Sequence, residues 1–130
     1  MVKKNIPKHE KPHWLFNGVE VISLINPEEI AGFIYKITHL PTGKFYIGKK
    51  TTSYILKRPP LKDKKNKRHE VKETDWKTYW GSSKQLHEDI EKYGINEFKR
   101  EILHWCYSKW ELSYYEAKYQ FDFEVIFRKD

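Results

Sequence analysis

Read by its apolar and polar positions, the chain divides into short strands, two helices and one long polar stretch. His13-Trp14-Leu15-Phe16 and Val19-Glu20-Val21-Ile22 flank Asn17-Gly18, the dipeptide that most favours a two-residue turn, and predict a small hairpin. A second hairpin follows, in which Gly32-Phe33-Ile34-Tyr35 and Tyr46-Ile47-Gly48 bracket Leu40-Pro41-Thr42-Gly43. Between the two, Asn26-Pro27-Glu28-Glu29 reads as a helix start with Asn26 as cap and acids in the first turn. Further on, Ser82 or Ser83 caps a helix through Leu86, Ile90 and Tyr93, spaced for one face, and Gly94 ends it. The run from Phe98 to Cys106 has the imperfect alternation of a strand packed on both sides, and Ser108 opens a second helix through Leu112, Tyr115, Tyr119 and Phe123. Residues 52–75 lack any period and hold Pro59-Pro60 and a lysine run, which predicts a long exposed loop. Residues 1–12 are polar and basic and read as a flexible arm. The sum is an α+β fold: a small three-stranded antiparallel sheet flanked by helices, with an N-terminal hairpin extension. Residues 1–30 form the arm and accessory hairpin, residues 31–130 the main domain.

Composition sharpens this picture. The 130 residues suit one domain, and an aromatic share of 16%, with five tryptophans and nine tyrosines, means that much of the core is built from rings. Cys106 is the single cysteine, so an internal disulfide and a multi-thiolate zinc site are both excluded. Its neighbour His104 lies on the same strand face, but no third partner completes a nucleophilic triad, so Cys106 reads as a buried, inert thiol. His9 and His13 are spaced for zinc on a helix, and Pro12 between them argues against that helix. No uncharged run is long enough to span a bilayer, so the expectation is a cytoplasmic protein without a membrane partner.

The formal charge is +7, and it is concentrated: residues 44–72 carry eleven lysines and arginines against two acids. Alone, such a run reads as a solvated loop; directly after the second hairpin it becomes a clamp for phosphates, formed by Lys50, Lys57, Lys62, Lys64, Lys65, Lys67 and Arg68. The candidate chemistry lies in the hairpin itself. Tyr35 and Tyr46 stand eleven residues apart, a spacing that brings two phenols toward one face with Lys49 and Lys50 at the exit.

These strings resemble the naming motif of the GIY-YIG nuclease family. Tyr46-Ile47-Gly48 matches it unchanged, whereas Phe33-Ile34-Tyr35 replaces the usual Gly-Ile-Tyr, with the glycine one place earlier at Gly32. The resemblance covers about residues 30–127, and the Tyr79-Trp80-Gly81-Ser82-Ser83 string is similar to phage-encoded members related to homing endonucleases of the Seg type. It implies hydrolysis of DNA phosphodiester bonds, with double-stranded DNA as partner and one divalent ion, Mg2+ or Mn2+, held by a glutamate in the helix after the third strand. That role falls on Glu116 in Glu116-Ala117-Lys118-Tyr119, with Glu111 as competitor. Tyr35 becomes the general base or the group orienting the attacking water, Tyr46 a phosphate contact or support, and Lys49 a cation that tunes the phenols. The family arginine falls near Leu56, so Arg58 is its first candidate and Arg68 with His69 the second. The asparagine that many members carry after the glutamate has no counterpart beyond Asn96. A catalytically silent nucleic-acid-binding module of the same fold is the alternative, and a protein partner or a homodimer is a further expectation, since no dedicated base-reading module is visible.

Overall fold

The computed structural model describes residues 8–58, 62 and 68–127. The strand β1 (Trp14–Phe16) turns through Asn17 and Gly18, both at positive φ, into β2 (Val19–Val21), so the Asn-Gly hairpin forms. A single 3-10 turn at Pro27–Glu29 stands in place of the expected helix start. Asn26 makes no side-chain cap there, and Gly32 follows three residues after the turn. The central hairpin is β3 (Gly32–His39) and β4 (Phe45–Thr51), paired antiparallel with Tyr35 opposite Gly48 and Ile37 opposite Tyr46. Then come β5 (Ser53–Arg58), β6 (Arg68–Glu73), α1 (Lys84–Tyr93), β7 (Phe98–Cys106) and α2 (Lys109–Phe127). Ser83 caps α1 by accepting from the Leu86 N–H, and Ser108 does the same for α2 from Glu111.

Three strands were expected in the sheet, and it has five, in the order β2-β1-β7-β3-β4. β7 runs antiparallel to β3 on one side and parallel to β1 on the other, which makes the sheet mixed. The reason is that Trp14 and Phe16 belong to the core: Trp14 packs edge-on against Phe33, and Phe16 against Trp105. The hairpin is therefore the far margin of the sheet rather than an appendage.

Residues 52–75 correct a second expectation. β5 and β6 pair antiparallel into a separate ribbon, from Ser53 opposite Glu73 to Arg58 opposite Arg68. Its strands carry charge on both faces, so no hydrophobic period announces them, and the order comes from main-chain pairing, which has no signature in the residue pattern. The ribbon is fastened at its root, where the Thr52 hydroxyl and Ser53 hydroxyl both donate to the Ile30 carbonyl and the Thr74 N–H donates to the Thr52 carbonyl. Lys62 is exposed, whereas Lys64, Lys65 and Lys67 lie outside the described residues, as do residues 1–7 of the expected arm.

Residues 9–12 are not free either. Arg100, fully buried on β7, donates five hydrogen bonds to the carbonyls of Glu10, Pro12, Lys77 and Tyr79 at 2.8–3.2 Å, and Trp80 Nε1 donates to the His9 carbonyl at 2.7 Å. Backbone acceptors carry no sequence signature, so nothing in the residue pattern of this part of the arm announces its order. The guanidinium is sandwiched between the Trp14 and Trp80 rings, 4.6 and 4.2 Å from their centroids. Burial pulls its pKa down, and the full set of acceptors offsets that cost.

The sheet thus carries a core on each face. Phe33, Tyr35 and Ile37 pack with Trp76, Trp80, Leu86 and Ile90 on one side, and Ile34, Cys106 and Leu112 pack beneath α2 on the other. Among the described residues no helix is long and apolar enough to cross a membrane.

Candidate active site

Tyr35 is buried at 4% exposure in the middle of β3. Its ring reaches across to β4, where Gly48 leaves room for it: a Cβ at position 48 would collide with the Tyr35 hydroxyl and ring. This is why glycine stands opposite tyrosine in the hairpin. The Tyr35 ring meets Tyr79 edge-on at 5.8 Å. Burial pushes the phenol pKa far above its usual value; Tyr79 and the Glu116 carboxylate push the same way, and the Ser82 backbone opposes them.

Tyr46 sits two residues before Gly48 on the same face of β4. Its hydroxyl donates to Asp89 Oδ2 on α1 at 2.8 Å, and Asp89 Oδ1 accepts from Gln85 at 3.1 Å. Lys44 completes the cluster, 3.5 Å from the same carboxylate. Desolvation and the bond to Asp89 raise the Tyr46 pKa, while that same bond holds Asp89 below the usual carboxylate range.

Glu116 arrives from the opposite side. α2 covers the other face of the sheet, but β4 is the edge strand and α2 overhangs it: Gln120 donates to the outward Ile47 carbonyl at 3.2 Å. One turn earlier, Glu116 lines the same cleft as Gly48 and acts on the Tyr35 phenol through its charge. The outcome is one open cleft of about 520 Å3 lined by Tyr35, Tyr46, Gly48, Lys49, Ser82 and Glu116, among others. Lys49 Nζ lies 4.0 Å from Glu116 Oε1 and 3.4 Å from the Ser113 hydroxyl, with 44% of the lysine side chain and 29% of the glutamate exposed. A half-exposed pair of this kind is a weak tether.

The other predicted residues fall elsewhere. Lys50 is turned toward Asp75, 2.7 Å away, and lies 4.3 Å over the Tyr79 ring, so its charge is already engaged. Arg58 and Arg68 form one rung of the ribbon and Lys57 and His69 the next. At about 3.3 Å of rise per residue, the Arg58–Arg68 rung stands roughly 17 Å along the ribbon from Ser53. No arginine lines the cleft among the described residues. Sequence reasoning missed Asp89, Gln120 and Tyr79. Tyr79 lay in a string already singled out, but an acid within a helix gives no sign that a phenol forty-three residues earlier will bond to it.

Among the described residues no three His, Cys, Asp or Glu side chains gather as a metal cage. A lone carboxylate facing an open, polar cleft nevertheless fits magnesium, which keeps several of its waters.

The central hairpin thus carries two tyrosines, and the last helix brings a glutamate to the cleft that they line. A family model described as "Putative endonuclease segE, GIY-YIG domain" matches residues 14–130, and the chain belongs to that SegE-type GIY-YIG family. The match begins at the first strand, so it includes the N-terminal hairpin. No curated protein and no solved structure matches the chain.

Proposed function

We propose that this protein is a divalent-metal-dependent endonuclease that hydrolyses phosphodiester bonds of double-stranded DNA. The observation that carries this reading is the single cleft lined by Tyr35, Tyr46, Lys49 and Glu116 in a chain of this family. Glu116 would hold Mg2+ or Mn2+, which when bound offsets the negative charge that develops on the phosphoryl and leaving oxygens. Lys49, on the rim, adds a second positive charge toward the same phosphate. Both phenols are pushed above their usual pKa, so neither is a ready phenolate at neutral pH. Of the two roles open to Tyr35, orientation of the attacking water is the one that a neutral phenol fills. The ribbon, with Lys57, Lys62 and the Arg58–Arg68 rung, would lie along the backbone of the duplex and supply affinity without sequence reading.

Relaxation of supercoiled plasmid tests this directly. The wild type should nick with Mg2+ or Mn2+ and not with EDTA, and Glu116→Ala should abolish nicking while leaving DNA retention in a gel unchanged. The lack of an arginine in the cleft, among the described residues, favours a second reading, a module that binds DNA without cutting it. Salt-sensitive retention with no nicking by the wild type in either metal would select it.

A further inference from the structure

The bond between Tyr46 and Asp89 joins the edge strand to α1, the two elements whose Tyr46 and Leu86 line the cleft, and it fixes more than their packing. A phenol has one proton to donate and two lone pairs to offer. Here the proton points at Asp89 Oδ2, 2.8 Å away, and Gln85 holds the other carboxylate oxygen at 3.1 Å, so the acceptor cannot swing away freely. The carboxylate side chain is only 15% exposed. Because Asp89 is held in its ionised form, it can only accept, and the direction of the bond is set. A hydroxyl bound in this way cannot donate to a phosphate oxygen. What it presents to the cleft is an acceptor. Lys44 stands 3.5 Å from Asp89 and 5.4 Å over the Tyr46 ring, and its hydrogen bond to the phenol oxygen opposes the rise in the Tyr46 pKa; it takes one of the two lone pairs and leaves the other to the cleft.

We propose that Asp89 is a positioning residue for Tyr46: it accepts the phenol's hydrogen bond so that the Tyr46 oxygen faces the cleft as an acceptor for a proton of the attacking water. This inference rests on the nuclease reading and assigns different work to the two tyrosines. Tyr46 aligns the water by accepting from it, whereas Tyr35, as a neutral phenol, orients the same water by donating to its oxygen. No proton is transferred to Asp89; the carboxylate remains ionised throughout. The sequence offers no hint of the pairing, and neither Gln85 nor Lys44 belongs to the hairpin motif.

The test is a double-mutant cycle on plasmid cleavage with Mg2+, using wild type, Asp89→Ala, Tyr46→Phe and the double variant, with Asp89→Asn as the conservative replacement. Asp89→Ala and Tyr46→Phe should each slow cleavage at saturating DNA by roughly 10- to 100-fold with little change in KM. The double variant should be no slower than Tyr46→Phe alone, and Asp89→Asn, which keeps an acceptor oxygen, should recover most of the rate lost in Asp89→Ala. Equal further slowing by Asp89→Ala in the Tyr46→Phe background would overturn the inference, since the carboxylate would then act on something other than the phenol. An active wild type matched by Asp89→Ala would overturn it while leaving the nuclease reading intact. A wild type that cuts no DNA would overturn both.

Discussion

Gly48 and Tyr35 are fitted to each other, because the phenol occupies the space that any side chain at position 48 would need. Gly48→Ala should therefore displace the ring, cost about 1–3 kcal/mol in urea unfolding as an overpacked site does, and lower cleavage together with stability. The raised pKa of both phenols gives a second expectation. A neutral phenol does the same work at every pH below its titration, so the rate ratio of wild type to Tyr35→Phe should stay constant between about pH 6 and about pH 9. A ratio that climbs with pH would mean that a phenolate is the working form. Burial also pushes the Cys106 thiol up to about 11, so iodoacetamide should leave it unmodified in the native protein near pH 8 and react only after unfolding. At this scale the sequence was informative where chemistry clusters locally. Tyr35, Tyr46 and Lys49 lie in one hairpin, and Glu116 came from the resemblance. Asp89 was invisible because its partner is supplied by a strand distant in the chain.

Arg100 shows what one strand residue does for its neighbouring segments. Its guanidinium ties residues 10 and 12 and residues 77 and 79 to β7, and Tyr79 in turn packs on Tyr35. Arg100→Leu leaves several buried carbonyls without donors and should cost about 3 kcal/mol, read from the urea midpoint. An unchanged midpoint would show that residues 9–12 are held by other means. The helices were legible, since Ser83, Leu86, Ile90 and Gly94 combine a cap, a buried stripe and a stop at correct spacing. The ribbon was not. β5 and β6 carry charged residues on both faces, and their pairing and the hydrogen bonds at residues 52, 53 and 74 order them. The fourth and fifth strands of the sheet were legible as a hairpin, but the parallel pairing of Leu15 with Glu101 that joins them to the sheet has no local signature.

For the whole molecule, the charge of +7 bears on binding and the cleft on cutting. Replacing Lys57, Lys62, Lys64 and Lys65 by alanine should weaken binding to any duplex alike and flatten the plot of log affinity against log salt by about 0.9 for each phosphate that is no longer neutralised. Cleavage by variant protein saturated with DNA should be little changed. The fold brings the phenols of the central hairpin and the carboxylate of α2 into one cleft, although they start from opposite faces of the sheet. That convergence on a single cation is the central claim, and paramagnetic broadening by Mn2+ tests it most directly. With a short duplex bound, Mn2+ should broaden the backbone amide signals of Gly48 and Ser82 in the wild type and spare them in Glu116→Ala. Broadening that survives in Glu116→Ala, or that leaves Gly48 and Ser82 sharp in the wild type, would place the ion elsewhere and contradict the account.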